Sequence, residues 1–386
     1  MRHMKRKIGV ALVGAGFVGR AHLEAIRRLG TAEVRAVGVS NAERIERTAA
    51  EIGIENVVAD YRALLDNPAI DAVDICTPNA SHFQMAKDAF QAGKHVICEK
   101  PLATCPEEAR ALVALAQEKK LRNCACYNLR FYPLVQQMRR MREDGDLGEI
   151  LVVQGTYSQD WLLYDTDWNW RIDSRANGPS RAMADIGSHW CDMAEHITGQ
   201  RIISLCADLQ TFHKIRKRPK APVETFAGKT LLPQDYADTP IDTEDFGAVV
   251  FRMGERTRGS FTASQVSAGR KNRLSIEVYG TKASVAWDGE RPNELWIGSR
   301  NTPNQTIVKD PSLLKERSRP YAELPGGHAE GYGDTFKQIF RRFCDSIGNW
   351  DCDPDYPQFT DGLRQLMLID AELASSAKHG WVEVGG

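Results

Sequence analysis

The chain has 386 residues with 50 basic against 51 acidic side chains, so it offers no large single-signed field of the kind that nucleic acid or an anionic membrane selects. Its length suits two domains or one large one, and a hydrophobic content of 42% is enough to fill a core. No apolar run reaches the ~18 residues of a membrane span, the N-terminus lacks a signal-peptide core, and Met1-Arg2-His3 ahead of Met4 reads as a short added or disordered lead, while the unpaired cysteine pattern fits a reduced, cytoplasmic location.

Apolar Ile8–Val13 reads as a buried strand running into Gly14-Ala15-Gly16-Phe17-Val18-Gly19 and then a helical pattern over Phe17–Leu29. In that spacing Gly14 permits a tight turn, Gly16 lets the backbone approach a pyrophosphate, and Gly19 lets the helix sit close on the strand. The helix start at Phe17 and Val18 turns free N–H groups toward the anion. Strand-like runs follow at Val34–Val39, Ala72–Cys76, His95–Cys98 and Asn123–Tyr127. They alternate with helical patterns over Ala42–Ile52, Tyr61–Asp66, His82–Ala92 and Pro106–Glu118. This alternation predicts a Rossmann domain, a doubly wound parallel sheet, over residues 1–127. Ligands of such sheets bind at the carboxyl ends of the strands, where the loops Thr77-Pro78-Asn79 and Glu99-Lys100-Pro101 fall.

From 128 to 386 the texture changes. Period-two alternation appears in Gly148–Tyr157, Ile202–Leu209, Asp245–Arg252, Gly259–Ser267, Ser275–Tyr279 and Ala283–Trp287, with helical patterns at Leu134–Glu143, Met183–Ile197, Gly333–Ile347 and Phe359–Lys378. The prediction is an α+β domain with a large, mainly antiparallel open sheet, making the whole chain α/β. The charged, proline-bearing stretches Lys214–Pro222 and Asn301–Pro320 read as exposed loops. Of nine cysteines, Cys76, Cys98, Cys124 and Cys126 lie on apolar strand-like runs, as small buried thiols do. Cys124-Ala125-Cys126 lacks the spacing of a metal or redox pair.

Three features carry chemistry together: the glycine turn, Glu99-Lys100-Pro101, and Asp185-x-Gly187-x-His189-x-x-Asp192. Asp185 and His189 share one helical face a turn apart. An aspartate can hold an imidazole in one tautomer while it takes a hydroxyl proton, and a lysine beside a nicotinamide suits proton transfer. A helix-capping or packing contact is the plainer reading of the pair, as a solvated charge is of the lysine. Asp185, His189 and Asp192 also have the donor types for a divalent metal. Hydride transfer to a nicotinamide needs no metal, and none is expected.

These motifs resemble the Gfo/Idh/MocA oxidoreductase family over nearly the whole chain, through the glycine turn, Thr77-Pro78-Asn79 with His82, Glu99-Lys100-Pro101, and Asp185-x-Gly187-x-His189. The resemblance implies that Lys100, Asp185 and His189 form the catalytic set. His189 would accept the proton, Asp185 would orient it or bind substrate, and Lys100 would bind a substrate hydroxyl, with ammonium and imidazole meeting over one nicotinamide face. It also implies that Thr77, Pro78, Asn79, His82, Glu99 and Lys100 contact the cofactor, and that the C-terminal sheet is covered in a homodimer or homotetramer.

At the second strand tip, Val39-Ser40-Asn41-Ala42-Glu43-Arg44 has no acidic residue at the usual ribose-binding place. Ser40 and Asn41, with charge from Arg44, resemble the tip of NADP-using members. NAD stays open, because Asn41 could simply cap the following helix and Glu43 lies close by. Trp161, Trp168, Trp170 and Arg171 precede the Asp185 helix, where tryptophans can stack on a sugar or cyclitol ring or pack the fold. His328, in Gly326–Tyr332, is a candidate rim residue. The expected activity is oxidation of one secondary hydroxyl of a cyclic polyol, an inositol or an aldopyranose. The alternatives are an NAD-dependent glycoside hydrolase and a non-catalytic NADP sensor.

Overall fold

The computed structural model describes residues 6–221, 232–351 and 354–385; the lead Met1–Met4 and Pro222, the last residue of one expected loop, lie outside them. Two compact units emerge, one made of the chain up to Asn128 with Tyr332–Leu366, the other of Leu129–Gly331 with Met367–Gly386.

The first unit is built on a six-stranded parallel sheet. Its elements alternate as β1 (Ile8–Val13), α1 (Phe17–Arg27), β2 (Ala32–Gly38), α2 (Ile45–Ile52), β3 (Val57–Val58), α3 (Arg62–Leu65), β4 (Ala72–Ile75), α4 (His82–Gln91), β5 (His95–Cys98), α5 (Pro106–Glu118) and β6 (Asn123–Ala125). The strand order β3-β2-β1-β4-β5-β6 reverses direction beside β1, which creates the crevice where dinucleotides bind in such sheets. Val10, Ala11, Leu12, Val73 and Ile75 are all buried, as strands covered on both faces require. Asp74, in the middle of β4, is equally buried and breaks that apolar pattern.

In the second unit, α6 (Pro133–Glu143) leads to β7 (Ile150–Ser158), the one-turn helix α7 (Ser174–Asn177) and α8 (Ser188–Thr198). The strands β8 (Ile202–Gln210), β9 (Ile215–Pro219), β10 (Tyr236–Pro240), β11 (Phe246–Met253), β12 (Thr257–Ser264), β13 (Arg273–Gly280), β14 (Ser284–Asp288), β15 (Glu294–Gly298), β16 (Gln305–Val308) and β17 (Val382–Glu383) follow. Nine of the strands form one sheet in the order β16-β15-β14-β13-β7-β12-β11-β8-β17. Its described pairings are antiparallel except β7 with β12. One face is the core, where Trp190 of α8 stacks on Phe261 with ring centroids 4.5 Å apart. Its indole N–H donates to the Ser275 carbonyl at 3.0 Å, and Gly155 leaves it room, since a Cβ there would stand 2.7 Å from Nε1.

Both expected loops contain strands. Lys214–Pro222 includes β9, because Arg216 is buried against Asp245 at 2.7 Å and fixes the charged stretch in place. Asn301–Pro320 includes β16, which among the described residues is an edge strand beside β15, next to a buried Lys309–Glu330 ion pair at 2.8 Å.

The chain ends with α9 (Tyr332–Ser346) and α10 (Phe359–Lys378). The simple division at 127/128 does not describe this end: α9 and the first part of α10 rejoin the first unit, Gly362 lying so near Leu102 that a Cβ would come within 3.0 Å. Further along α10, Glu372 is buried in the second unit, with the Cys191 thiol 3.9 Å from one oxygen and no hydrogen-bond partner among the described residues on the other.

Burial, with the Glu244 charge adding to it, pushes the Glu372 carboxyl well above the ordinary carboxylate range. A group raised in the folded state contributes stability that is complete below its unfolded value and is lost as pH rises through the folded one. The Tm of the native chain should therefore fall more steeply as pH rises above the unfolded glutamate value of about 4.3 than that of Glu372→Gln, whose amide stays neutral. Parallel Tm profiles for the two proteins would contradict this.

Candidate active site

The first unit gathers its predicted residues at the carboxyl edge of the parallel sheet. After β1 the backbone turns at Gly14, whose φ of +100° favours glycine, and its N–H donates to the Gly38 carbonyl at 2.9 Å. A Cβ on Gly19 would sit 1.9 Å from the Gly14 carbonyl oxygen, so α1 can pack here only without one. Gly16, by contrast, has no atom of the described residues, its own and its two chain neighbours' aside, within 4 Å of where its Cβ would be. The turn thus leaves open space above Gly16, at the exposed helix start marked by Phe17, with Val18 half-buried behind it. This arrangement fits a pyrophosphate against backbone N–H groups.

At the end of β2, Ser40, Asn41 and Arg44 are exposed, and the Arg44 guanidinium lies 3.4 Å from Ser40 Oγ. Asn41 makes no side-chain capping bond to the turn that follows, so capping does not account for it. After β4, Ser81 Oγ lies 2.7 Å from Thr77 Oγ1, and Asn79 is buried behind exposed Pro78. His82 is also buried: its Nδ1 lies 2.8 Å from the Pro101 carbonyl and its Nε2 2.8 Å from that of Thr77. Burial lowers its pKa although both carbonyls oppose the shift. His82 therefore sits between the loops after β4 and β5, and as a neutral ring its single N–H donates to one of the two carbonyls. After β5 come Glu99 and half-buried Lys100, whose bond to Pro101 is cis.

No motif in the sequence marks His22. It lies on α1 three residues after Gly19, fully buried, between Asp74 and Glu99. The available signals were a histidine on the buried face of the helix and an aspartate inside an apolar strand.

The second unit builds its own cluster around Asp185. The segment Met183–Gly187 is a wide π-helical turn at the head of α8, a form often found at functional sites. Buried Glu244 organises it by accepting from Ser180 Oγ at 2.7 Å, Arg181 N at 2.8 Å and Met183 N at 2.9 Å. Burial still holds the Glu244 carboxyl above its ordinary value. Asp185 accepts from Arg171 Nε at 3.3 Å and from Gln265 Nε2 at 2.9 Å. The other end of Gln265 accepts from Arg181 at 3.0 Å, and Arg181 in turn pairs with buried Asp245. Burial alone would raise Asp245, but Arg181 and Arg216 keep its carboxyl below the usual range.

His189 follows Asp185 by one turn and is 7% exposed. Asp192 is held by Arg130, with Nε 2.7 Å from one oxygen, so a guanidinium occupies the carboxylate once considered as a metal donor. Trp170 lies under the Arg171 guanidinium at 4.5 Å, Trp168 under Arg218 at 5.4 Å, and Trp161 Nε1 donates to Gln159. Arg171 and Asp185 are thus brought together. His328 is not part of that cluster: it is exposed, with Nδ1 3.3 Å from the Gly326 carbonyl of its own loop.

Comparison with known proteins agrees with this architecture. Residues 8–127 match the model of an oxidoreductase family with an NAD-binding Rossmann fold, and residues 135–286 match the GFO/IDH/MocA C-terminal domain. Levoglucosan dehydrogenase of Pseudarthrobacter phenanthrenivorans is 30% identical over 98% of each chain. A structure of levoglucosan dehydrogenase in complex with NADH and levoglucosan has a TM-score of 0.87 at 30% identity, covering 99% of this chain and 100% of that one. An inositol dehydrogenase homologue from Azotobacter vinelandii complexed with NAD+ has a TM-score of 0.86 at 26% identity, over 99% and 98% of the two chains.

The two glycines of the turn should respond differently to substitution. Gly16→Ala, at an extended backbone angle any residue adopts, should keep the wild-type Tm but lose NADH affinity in a fluorescence titration. Gly19→Ala forces a clash with backbone and should lower stability by about 1–3 kcal/mol. A Gly16→Ala protein that bound NADH as tightly as wild type would refute the assignment of the open space.

Proposed function

This chain belongs to the GFO/IDH/MocA family of NAD-binding oxidoreductases, and we propose that it oxidises one secondary hydroxyl of a cyclic polyol, an inositol or a pyranose sugar. The observation that carries the reading is the clasped Asp185: Arg171 and Gln265 hold its two oxygens one helical turn ahead of His189. A carboxylate fixed at both oxygens presents one constant geometry to a hydroxyl or an imidazole. The levoglucosan dehydrogenase and inositol dehydrogenase relatives support a ring-shaped polyol as the substrate class.

A bound nicotinamide supplies the hydride acceptor. In the proposed division of labour His189 takes the hydroxyl proton as the carbonyl forms, Asp185 orients the imidazole or the substrate, and Lys100 donates a hydrogen bond to the reacting oxygen. Trp170 and Arg171 contribute an apolar face and hydroxyl-binding donors for the ring. Gly14, Gly16, Gly19 and the loop residues Thr77, Pro78 and Asn79 support the dinucleotide. Exposed Ser40, Asn41 and Arg44 admit a 2′-phosphate, so NADP is proposed as an acceptor beside NAD. The outer face of the nine-stranded sheet, bearing Val152, Val250, Arg252 and Arg258, is the proposed contact between copies of the chain.

Inositols, aldopyranoses and levoglucosan should be screened with NAD+ and NADP+ in parallel, following absorbance of the reduced cofactor. Net reduction with at least one of them is expected, and its absence across the panel would reject the dehydrogenase reading. Lys100→Met and His189→Ala should each retain NADH binding while turnover drops by roughly 10²–10⁴-fold. Unchanged turnover in both would remove them from the reaction. Arg44→Ala should raise the KM for NADP+ by about tenfold, the effect of losing one charged hydrogen bond, and leave that for NAD+ nearly unaltered. Equal effects on both cofactors would discard the phosphate-binding role.

A further inference from the structure

Beneath the Lys100 loop lies an ionisable cluster that the proposed reaction does not use. His22 is fully buried on α1, with Nδ1 3.1 Å from both oxygens of Asp74 and Nε2 3.0 Å from one oxygen of Glu99. The second Glu99 oxygen accepts the Lys100 backbone N–H at 3.2 Å, and the Glu99 N–H donates to the Ile75 carbonyl at 2.9 Å. Cys76 Sγ stands 3.1 Å from Nδ1 and Cys126 Sγ 3.7 Å from Nε2. The rings of Phe336 and Phe340 close the cluster, with centroids 4.6 and 4.9 Å from that of His22.

The charge state follows from the neighbours. A neutral imidazole would aim one lone pair at a carboxylate, whereas the protonated ring donates to Asp74 and Glu99 at once. Burial by itself would lower the His22 pKa, but the Asp74 carboxylate and the adjacent Cys126 sulfur together oppose it, and the net direction is upward, well above the ordinary value. Burial pushes the Cys76 and Cys126 thiols far up, so they remain neutral neighbours. Removing one partner would leave a buried charge unpaired, which is what makes such a cluster geometrically stiff.

We propose that His22 is a positioning residue: clamped by Asp74, it holds the Glu99 carboxylate and, through it, the backbone of Lys100 in one arrangement. The same ring ties α1, which carries the glycine turn, to the ends of β4 and β5. The inference rests on the reading of Lys100 as the residue that contacts the reacting oxygen.

Two measurements test it. Nitrogen-detected NMR of the full-length protein, with His22→Gln identifying the signal, should show the His22 ring protonated on both nitrogens at pH 7.5, slightly above the ordinary histidine range. A ring with one bare nitrogen would overturn the clamp without any assay of activity. Kinetically, with the best polyol of the panel, His22→Gln should lower kcat by tens of fold, up to about a hundredfold, as expected for slight misplacement of a reacting group. NADH affinity should change little. In the Lys100→Met background the same substitution should cause no further loss, whereas losses that multiply would overturn the proposal. Glu99→Gln, which keeps the shape of the contact, serves if His22→Gln does not fold, and should show the same non-additivity. Full turnover in Lys100→Met alone would refute the Lys100 reading, and the NMR result would still stand or fall separately.

Discussion

A carboxylate removed from water must find donors, and in this chain that requirement fixes the geometry of both units. Asp74 sits in the middle of a strand that is otherwise apolar on both faces, and the imidazole of His22 is what makes it tolerable there. Because the ring has a second nitrogen, the compensation extends to Glu99 and the loop after β5. The cluster orients a backbone, and the sheet could not hold Asp74 without it.

The second unit solves the same problem with guanidinium and amide groups. Asp245 gathers Arg181 and Arg216 from distant segments, Arg181 reaches Gln265, and Gln265 reaches Asp185. Glu244 collects backbone donors at the head of α8 and shapes the wide turn that carries Asp185. Buried pairs of this kind are poor sources of net stability, since desolvation offsets most of the attraction. Their contribution is specificity of arrangement, which the site proposed for this unit would require.

Glycine plays the complementary part by permitting close approach. Gly19 seats α1 on the first turn, and Gly155 seats Trp190 against the sheet. In one case the result is a helix start facing open space, in the other a firmly packed α8 that carries His189. Both are steric permissions with long-range consequences.

Local patterns along the chain were enough to specify the alternation of strands and helices in the first unit, the mainly antiparallel open sheet of the second, and the glycine turn. They also revealed the one-turn spacing of Asp185 and His189. Each of these is written in local periodicity or in a short motif, so neighbouring residues are enough to specify it. Tertiary structure alone decided the rest. The pairing of His22 with Asp74 and Glu99 joins residues 52 and 77 positions apart. The Gln265 clasp on Asp185 spans 80 positions, and the burial of Arg216 turned an expected loop into β9. His82 reaches the carbonyls of Thr77 and Pro101 only because the β4 and β5 loops stand side by side. The return of α9 to the first unit belongs here too. Charge compensation and packing between distant segments leave no period in the chain, because partners are selected by proximity after folding rather than by spacing before it.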